Sequence, residues 1–459
     1  MAHVELSPEL QTGELPPGTG SVFRNRGFGL LWSAQVLSQL ASNMVLAALM
    51  TVVVRATSSN TANAVLILTF LVPAVVFSAL AGVLVERSDA RLIMLGANVL
   101  RAVGTLGFIF VGQHVLAIYV LNFLIATVSA FFAPAELTAI PRIVPPRNLL
   151  AANSIFVVTV NAAFGVGFGL MGPLLLTTVG PTTTFVAVAV MFALAAVAII
   201  PLPAVRPTQT PAQIDAGKVL TAVFRELNEG VDFVRRTPRI AWSLIYLGVA
   251  ASLIGVLGAL GPGFAKTVLG LRPEDIFFVM GPVGLGAVMG ILFLNSYGKR
   301  VPRRLVIDIG LVSLAVTLVL IALVRPIVNL FGPALRPIEE NLPAILAGVV
   351  SLIALVVVIG FSAGVEYAFV AIPAQTVLTE ELPTQVRGRI FGILNTLLSV
   401  ASFVPVILAP VIADLLNIVF PNSGIPAVLV VLAAMVGWIG IRSWQHNRHL
   451  GLHARSPAD

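Results

Sequence analysis

Glu366, Arg101 and Asp308 stand inside long apolar stretches of this sequence. An ionisable group in such a setting is a functional candidate, because hydrocarbon surroundings make its charge costly. Glu366 shares a helical face with Ser362, Phe369 and Pro373, and a carboxylate there can carry a proton. Arg101 has Asn98 and Thr105 on its side of the helix and could hold an anion or snorkel toward an interface. Asp308 follows Arg304 by four residues, which pairs it with the basic residues of the preceding loop. The chain contains no cysteine, which removes thiolate nucleophiles, disulfides and thiolate metal sites. No HExxH, Ser–His set, paired carboxylates or phosphate-cradling glycine loop occurs in the apolar segments, so no catalytic residue, metal or cofactor is expected.

Polar side chains form two further patterns. Gln35, Ser38, Gln39, Ser42 and Asn43 fall within an arc of about 140° on one helix. Asn122, Ala126, Ser129 and Ala133 make a narrower stripe on another. Such faces point at neighbouring helices or at a water-filled cavity, since lipid offers no partners. Trp242 and Tyr246, one turn apart, could stack on an aromatic substrate or anchor a helix at the membrane interface.

The elements that position these groups are membrane helices. Of 459 residues, 58% are hydrophobic and 10% charged, with a mean hydropathy of +1.01; soluble domains carry about 25% charged residues. Apolar runs fall at 28–54, 62–85, 92–112, 115–134, 149–178 and 182–201, then at 240–268, 274–297, 305–325, 341–373, 387–417 and 424–444. The expected fold is all-α, twelve transmembrane helices as two blocks of six. A polar tail over 1–27, a linker over 204–239 and a tail over 445–459 flank bundles at 28–203 and 240–444. Leu220, Val223, Phe224, Leu227, Val231 and Val234 give the linker an amphipathic helical pattern. Of the 27 Lys and Arg residues, 21 fall on one set of loops, five on the other, and Arg101 within a helix. That asymmetry places both termini and the linker in the cytosol. The net charge of +7 is spread over these loops rather than gathered on one face, so nucleic acid is not an expected partner.

The blocks read as copies. GVLVERSDARL (82–92) recurs as NSYGKRVPRRL (295–305), with Arg87 over Arg300 and Arg91 over Arg304. Parallel six-helix repeats place a substrate path along their common axis, which is a transporter arrangement. Gly82, Glu86, Arg87, Asp89 and Arg91 resemble the G-x-x-x-D-R-x-x-R-R loop signature of the major facilitator superfamily, with Glu86 where Asp is usual and Ala90 at the penultimate basic position. LLWSAQVLSQL, LLAANS, LNEGVDFVRRTPRI and ELPTQVRGRIFG resemble its macrolide-efflux and enterobactin-exporter-like branch. Many members of that branch have an acid just after S-Q-L in helix one; this chain reads SQLASN.

The resemblance implies a secondary transporter working by alternating access, with helices one, four, seven and ten lining the cavity. On that basis Gln35, Gln39, Asn43, Asn122, Trp242, Tyr246 and Arg101 are substrate-cavity candidates. Gly82, Glu86, Arg87, Asp89, Arg91, Arg300, Arg304 and Asp308 form an inner gate whose charges pair across the seam between blocks. With helices one, four and seven read as having no acid at depth, Glu366 is the proton-coupling candidate. A salt bridge to Arg101, or a hydrogen bond to a neighbouring helix, is its structural alternative. The implied function is proton-coupled export of a hydrophobic or amphipathic small molecule by a monomer in the inner (plasma) membrane, with substrate, protons and lipid as partners. A lysophospholipid- or siderophore-type exporter, or a transporter-like sensor or scaffold, is the alternative.

Overall fold

The computed structural model describes residues 19–205, 225, 231–232, 234–297, 301–330, 344–381 and 387–449. Among them, twelve long helices run back and forth. The first four are α1 (Arg26–Thr57), α2 (Asn60–Arg87), α3 (Ala90–Val111) and α4 (Val115–Ile143). α5 begins as Leu149–Ala163, passes through a π-helical stretch, Phe164–Met171, and continues to 179, while α6 occupies 181–199. The second block comprises α7 (Pro238–Phe264, prolonged by π-helical Ala265–Leu269), α8 (Phe277–Tyr297), α9 (Arg303–Ala322), α10 (Ala344–Glu381), α11 (Arg387–Val419) and α12 (Gly424–His449). Ten stretches are long and apolar enough to span a membrane; one of them, Pro146–Ile199, contains both α5 and α6, and α2 contributes a shorter apolar piece, Asn60–Ala74.

Local chemistry sets the boundaries. The Asn25 side chain accepts hydrogen bonds from the first N–H groups of α1, Ser59 caps α2, and Asp89 caps α3, each satisfying donors with no intrahelical partner. Gly180, at φ 81°, parts α5 from α6, a conformation that costs glycine little.

Two expected boundaries move. The tail expected to be disordered through residue 27 is ordered from Thr19: Thr19–Arg24 is a 3₁₀ helix, Val22 is fully buried, and Phe23 packs edge-on against Phe28 and Trp32. α4, expected to stop at Pro134, continues to Ile143 through both Pro134 and Pro141. The Thr138 hydroxyl donates to the Pro134 carbonyl at 2.9 Å, the kind of local adjustment that lets membrane helices accommodate proline. The linker over 206–224 and 226–230, the tail from 450, and Arg300 lie outside the described residues.

In the first block α1 and α3 pack along 172–199, the end of α5 together with α6, α2 along α4, and α3 also along α4; in the second, α8 packs along α10, α9 along α10 and α12, and α7 along α11. Glycine brings α8 and α10 together. A Cβ on Gly364 would strike the Val283 carbonyl, one on Gly286 the Phe361 carbonyl, and one on Gly290 the Ala368 side chain. Gly286/Gly290 and Gly360/Gly364 are thus facing G-x-x-x-G pairs, and such close backbone approach stabilises helix association in lipid through dispersion. Large apolar side chains such as Phe110, Leu116 and Trp438 cover the outside, where lipid tails replace water as solvent.

Candidate functional site

The structure gathers a buried polar cluster in the first block. Gln35 and Ser38 on α1, Asn98, Arg101 and Thr105 on α3, and Glu136 on α4 are all buried, with Glu136 5% and Arg101 3% exposed. They lie roughly 10–22 Å from the linker-side ends of their helices at about 1.5 Å per residue, Thr105 the deepest. Ser38 donates to the Asn98 side-chain oxygen at 2.8 Å. The Gln35 amide faces the Glu136 carboxylate, and with its nitrogen turned toward the acid it donates to that carboxylate. Arg101 attracts Glu136 electrostatically, and its guanidinium lies between two rings, 4.4 Å from the Phe132 centroid and 5.3 Å from that of Phe192 on α6. Arg101 Nε and Nη2, Asn98 Nδ2 and Thr105 Oγ1 are buried without hydrogen-bond partners among the described residues.

Glu136 overturns the expectation that helix four has no acid at depth. Reading α4 as ending at Pro134 hid it. A signal was present, because the stripe at Asn122, Ala126, Ser129 and Ala133 continues with the same spacing to Glu136.

Glu366 lies in the second block, at the contact of α10 with α9. Thr317 on α9 donates to Glu366 Oε1 at 2.9 Å, and Oε2 is buried without a partner among the described residues. Gly310 permits this approach, since a Cβ there would stand 3.0 Å from that of Phe369. The neighbouring-helix hydrogen bond is therefore present, whereas Arg101 is engaged by Glu136 instead.

Other expected cavity residues make the following contacts. Asn122 donates to Thr69 on α2 at 2.9 Å, joining helices. Asn43 donates back to the Gln39 carbonyl of its own helix at 2.8 Å, and both side chains are half-buried. Tyr246 is fully buried, its hydroxyl 2.7 Å from that of Ser443 on α12, and Trp242 stacks on His446 at 5.7 Å. This aromatic pair thus braces α7 against α12. Among the described residues, a cavity of about 450 Å³ opens where α7, α11 and α12 diverge, lined by Leu244, Gly248, Ser252, Leu398, Pro405 and Met435 among others. Its lining is almost wholly apolar.

The expected inner gate also divides. Asp89 accepts from Val205 N–H at 3.0 Å, and Arg91 donates to the Ile200 carbonyl. These two residues fasten the α2–α3 corner to the end of α6 within one block rather than across the seam, because the chain leaving α6 passes directly beside the corner. A Cβ on Gly82 would meet nothing within 4 Å. Asp308 is not at the water edge; it is fully buried and accepts a hydrogen bond from Ser443. The Glu86 side chain and Arg300 lie outside the described residues, and Arg87 and Arg304 both make polar contacts.

Among the described residues, a set of hydrogen bonds joins the blocks on the face opposite the linker. Asp414 on α11 accepts from Ser59 Oγ at 2.6 Å, Asn60 N at 3.2 Å, Asn60 Nδ2 at 2.8 Å and Thr61 N at 2.7 Å, all at the start of α2. Asn63 donates to the Ala259 carbonyl of α7 at 3.1 Å, and Lys266 to Ser58 at 2.7 Å. The π-helical glycines of α5 join this closure: a Cβ on Gly169 would stand 3.3 Å from the Met280 carbonyl of α8.

The family model described as Major Facilitator Superfamily matches residues 31–406. An uncharacterized MFS-type transporter, YfiS, of Bacillus subtilis (strain 168) is 23% identical over 423 residues, covering 91% of this chain and 94% of that protein. The multidrug efflux pump Tap of Mycolicibacterium fortuitum is 26% identical over 377 residues, covering 79% and 84%. Among solved structures, a mutant of the nucleoside transporter NupG aligns with a TM-score of 0.67 at 12% identity, covering 91% of this chain and 99% of that one. A bacterial homolog of the human lysosomal transporter Spinster, inward-facing and unoccupied, aligns with a TM-score of 0.62 at 12% identity, covering 97% and 100%.

Proposed function

This chain belongs to the major facilitator superfamily, and from that premise we propose that it exports hydrophobic or amphipathic small molecules in exchange for protons. The observation that carries the proton is Glu366. One carboxylate oxygen is held by Thr317, while the other is buried and free of hydrogen bonds among the described residues. A buried, unpartnered carboxylate oxygen is a proton acceptor whose desolvation is relieved by protonation. Alternating access would expose it to the two sides in turn, so that an entering proton and a leaving substrate compete for conformations of one protein.

Hydrophobic cargo is supported by the apolar lining of the cavity between α7, α11 and α12 and by the 26% identity to a multidrug efflux pump. The excess of basic residues on one set of loops supports a cytosolic linker and cytosolic termini in the plasma membrane of the cell. Under this reading the blocks, 28–203 and 240–444, rock about a midplane site.

The test uses proteoliposomes with an imposed proton gradient and ethidium as the transported dye. Glu366→Gln should retain dye exchange yet lose accumulation against the gradient. Thr317→Val separates coupling from mere packing: it removes the hydrogen bond but leaves the acid, and should retain uphill transport. Undiminished uphill transport by Glu366→Gln would overturn the role of Glu366.

A further inference from the structure

We propose that Glu136 is a proton-binding residue of the first block and Arg101 its positioning counter-charge, the two forming a site that loads and unloads one proton separately from Glu366. The inference rests on the coupled-transport reading for what the proton accomplishes, while the site itself stands on geometry. Both side chains are more than nine-tenths buried, in a block whose exterior is apolar. Two opposite charges kept there for stability alone would be expected to close into a bidentate pair with every lone pair and N–H used. The observed arrangement differs. Arg101 leaves Nε and Nη2 unpaired and is held instead by the faces of Phe132 and Phe192, which favour a cation whether or not its neighbour is charged.

The group facing the carboxylate is the Gln35 amide, which donates to it when its nitrogen is turned toward the acid. An amide suits an acid that changes protonation. Its N–H₂ donates to the carboxylate, and after a half-turn its carbonyl accepts from the O–H of the acid. The step is a single transfer: a proton from the aqueous side bonds to a Glu136 oxygen, the carboxylate becomes a neutral acid, and Arg101 remains the local charge.

Few other groups compete. Among the described residues, α3 presents Arg101 as the charged neighbour, α1 presents Gln35 and Ser38, α6 presents Phe192, and α4 adds Phe132. Gln35 also gives the site mechanical reach. It lies on α1, whose Leu40 and Asn43 pack against Gly167 of the π-helical segment of α5, and that segment contacts α8 of the other block at Gly169 and Met280.

The experiment is pH-difference infrared spectroscopy on the full chain reconstituted in lipid, with protons as the probe. A protonated-carboxyl band should titrate in the wild type, vanish in Glu136→Gln, persist in Glu366→Gln and titrate differently in Arg101→Gln. If Glu136→Gln does not fold, Glu136→Asp, which keeps the acid, should shift the same band. A Glu136→Gln spectrum superimposable on the wild type, or an unshifted Glu136→Asp band, would overturn the assignment. Ethidium-driven proton movement in the same vesicles separates the two readings. Its absence with the Glu136 band present defeats coupled transport, and its presence without a Glu136 band defeats this site.

Discussion

Among the described residues, buried polar side chains bond to one another from helix to helix, so that one substitution touches more than one contact. Tyr246, Ser443 and Asp308 run from α7 through α12 to α9 with no member exposed beyond 1%. Ser443→Ala deletes the hydroxyl between a phenol and a carboxylate. Two buried hydrogen bonds go with it, and at about 0.5–1.5 kcal/mol each the expected loss is about 1–3 kcal/mol. Tyr246→Phe removes a terminal hydroxyl and should cost about 1 kcal/mol. Thermal unfolding in detergent, compared across the two variants, tests that order. At this scale the sequence spoke unevenly. That Asp308 and Arg101 were special followed from charge within apolar runs. That Tyr246 meets Ser443 rather than a substrate did not, because one-turn spacing gives a shared face without saying what that face touches. Glu136 lay on a stripe already recognised, and the apolar run taken to end at 134 cut the stripe short.

Among the elements, α8 and α10 approach closely, with glycines replacing side chains at the crossing. A methyl on Gly364 would meet the Val283 carbonyl and the Ala287 amide nitrogen, which are backbone atoms and cannot rotate away. Gly364→Ala should therefore force the helices apart and destabilise the second block by about 1–3 kcal/mol, the usual range for overpacking. Gly281→Ala, on the same helix pair but with nothing within 4 Å of the added atom, should be neutral. Parallel melting curves of the two variants decide between crowding at the crossing and a general intolerance of the glycine positions. Helix number and order were legible from apolar periodicity, and the two G-x-x-x-G spacings are visible in the sequence. Their pairing with each other was not, since either could have met any neighbouring helix. The Gly180–Pro181 break was legible as the gap between the runs 149–178 and 182–201, whereas the π-helical turn in α5 meets backbone arriving from α1 and α8, which the sequence does not announce.

For the whole molecule, the governing feature is that the two blocks are hydrogen-bonded on the face opposite the linker, with Asp414 at the centre. This carboxylate takes two backbone N–H groups and two side-chain donors at the start of α2. A negative charge at a helix N-terminus is favoured by the helix dipole by about 0.3–1 kcal/mol, up to about 2 kcal/mol when partly buried, and hydrogen bonds to charged groups add about 1.5–3 kcal/mol each when removed singly. Opening this face must break the set. Asp414→Ala should thus shift the resting population toward conformers open on that face, by about tenfold for each 1.4 kcal/mol lost. The absence of cysteine from the chain makes the measurement direct. Asn63, fully buried beside Ala259 in the closed seam, is replaced by cysteine, and its labelling by an impermeant maleimide is followed with Asp414 intact and with Asp414→Ala. Labelling should accelerate at least several-fold in the double variant, and Asp414→Glu, which keeps the charge, should restore much of the protection. Equal labelling rates in all three backgrounds would mean that the seam is held by helix packing, and that Asp414 serves as no more than a cap on α2.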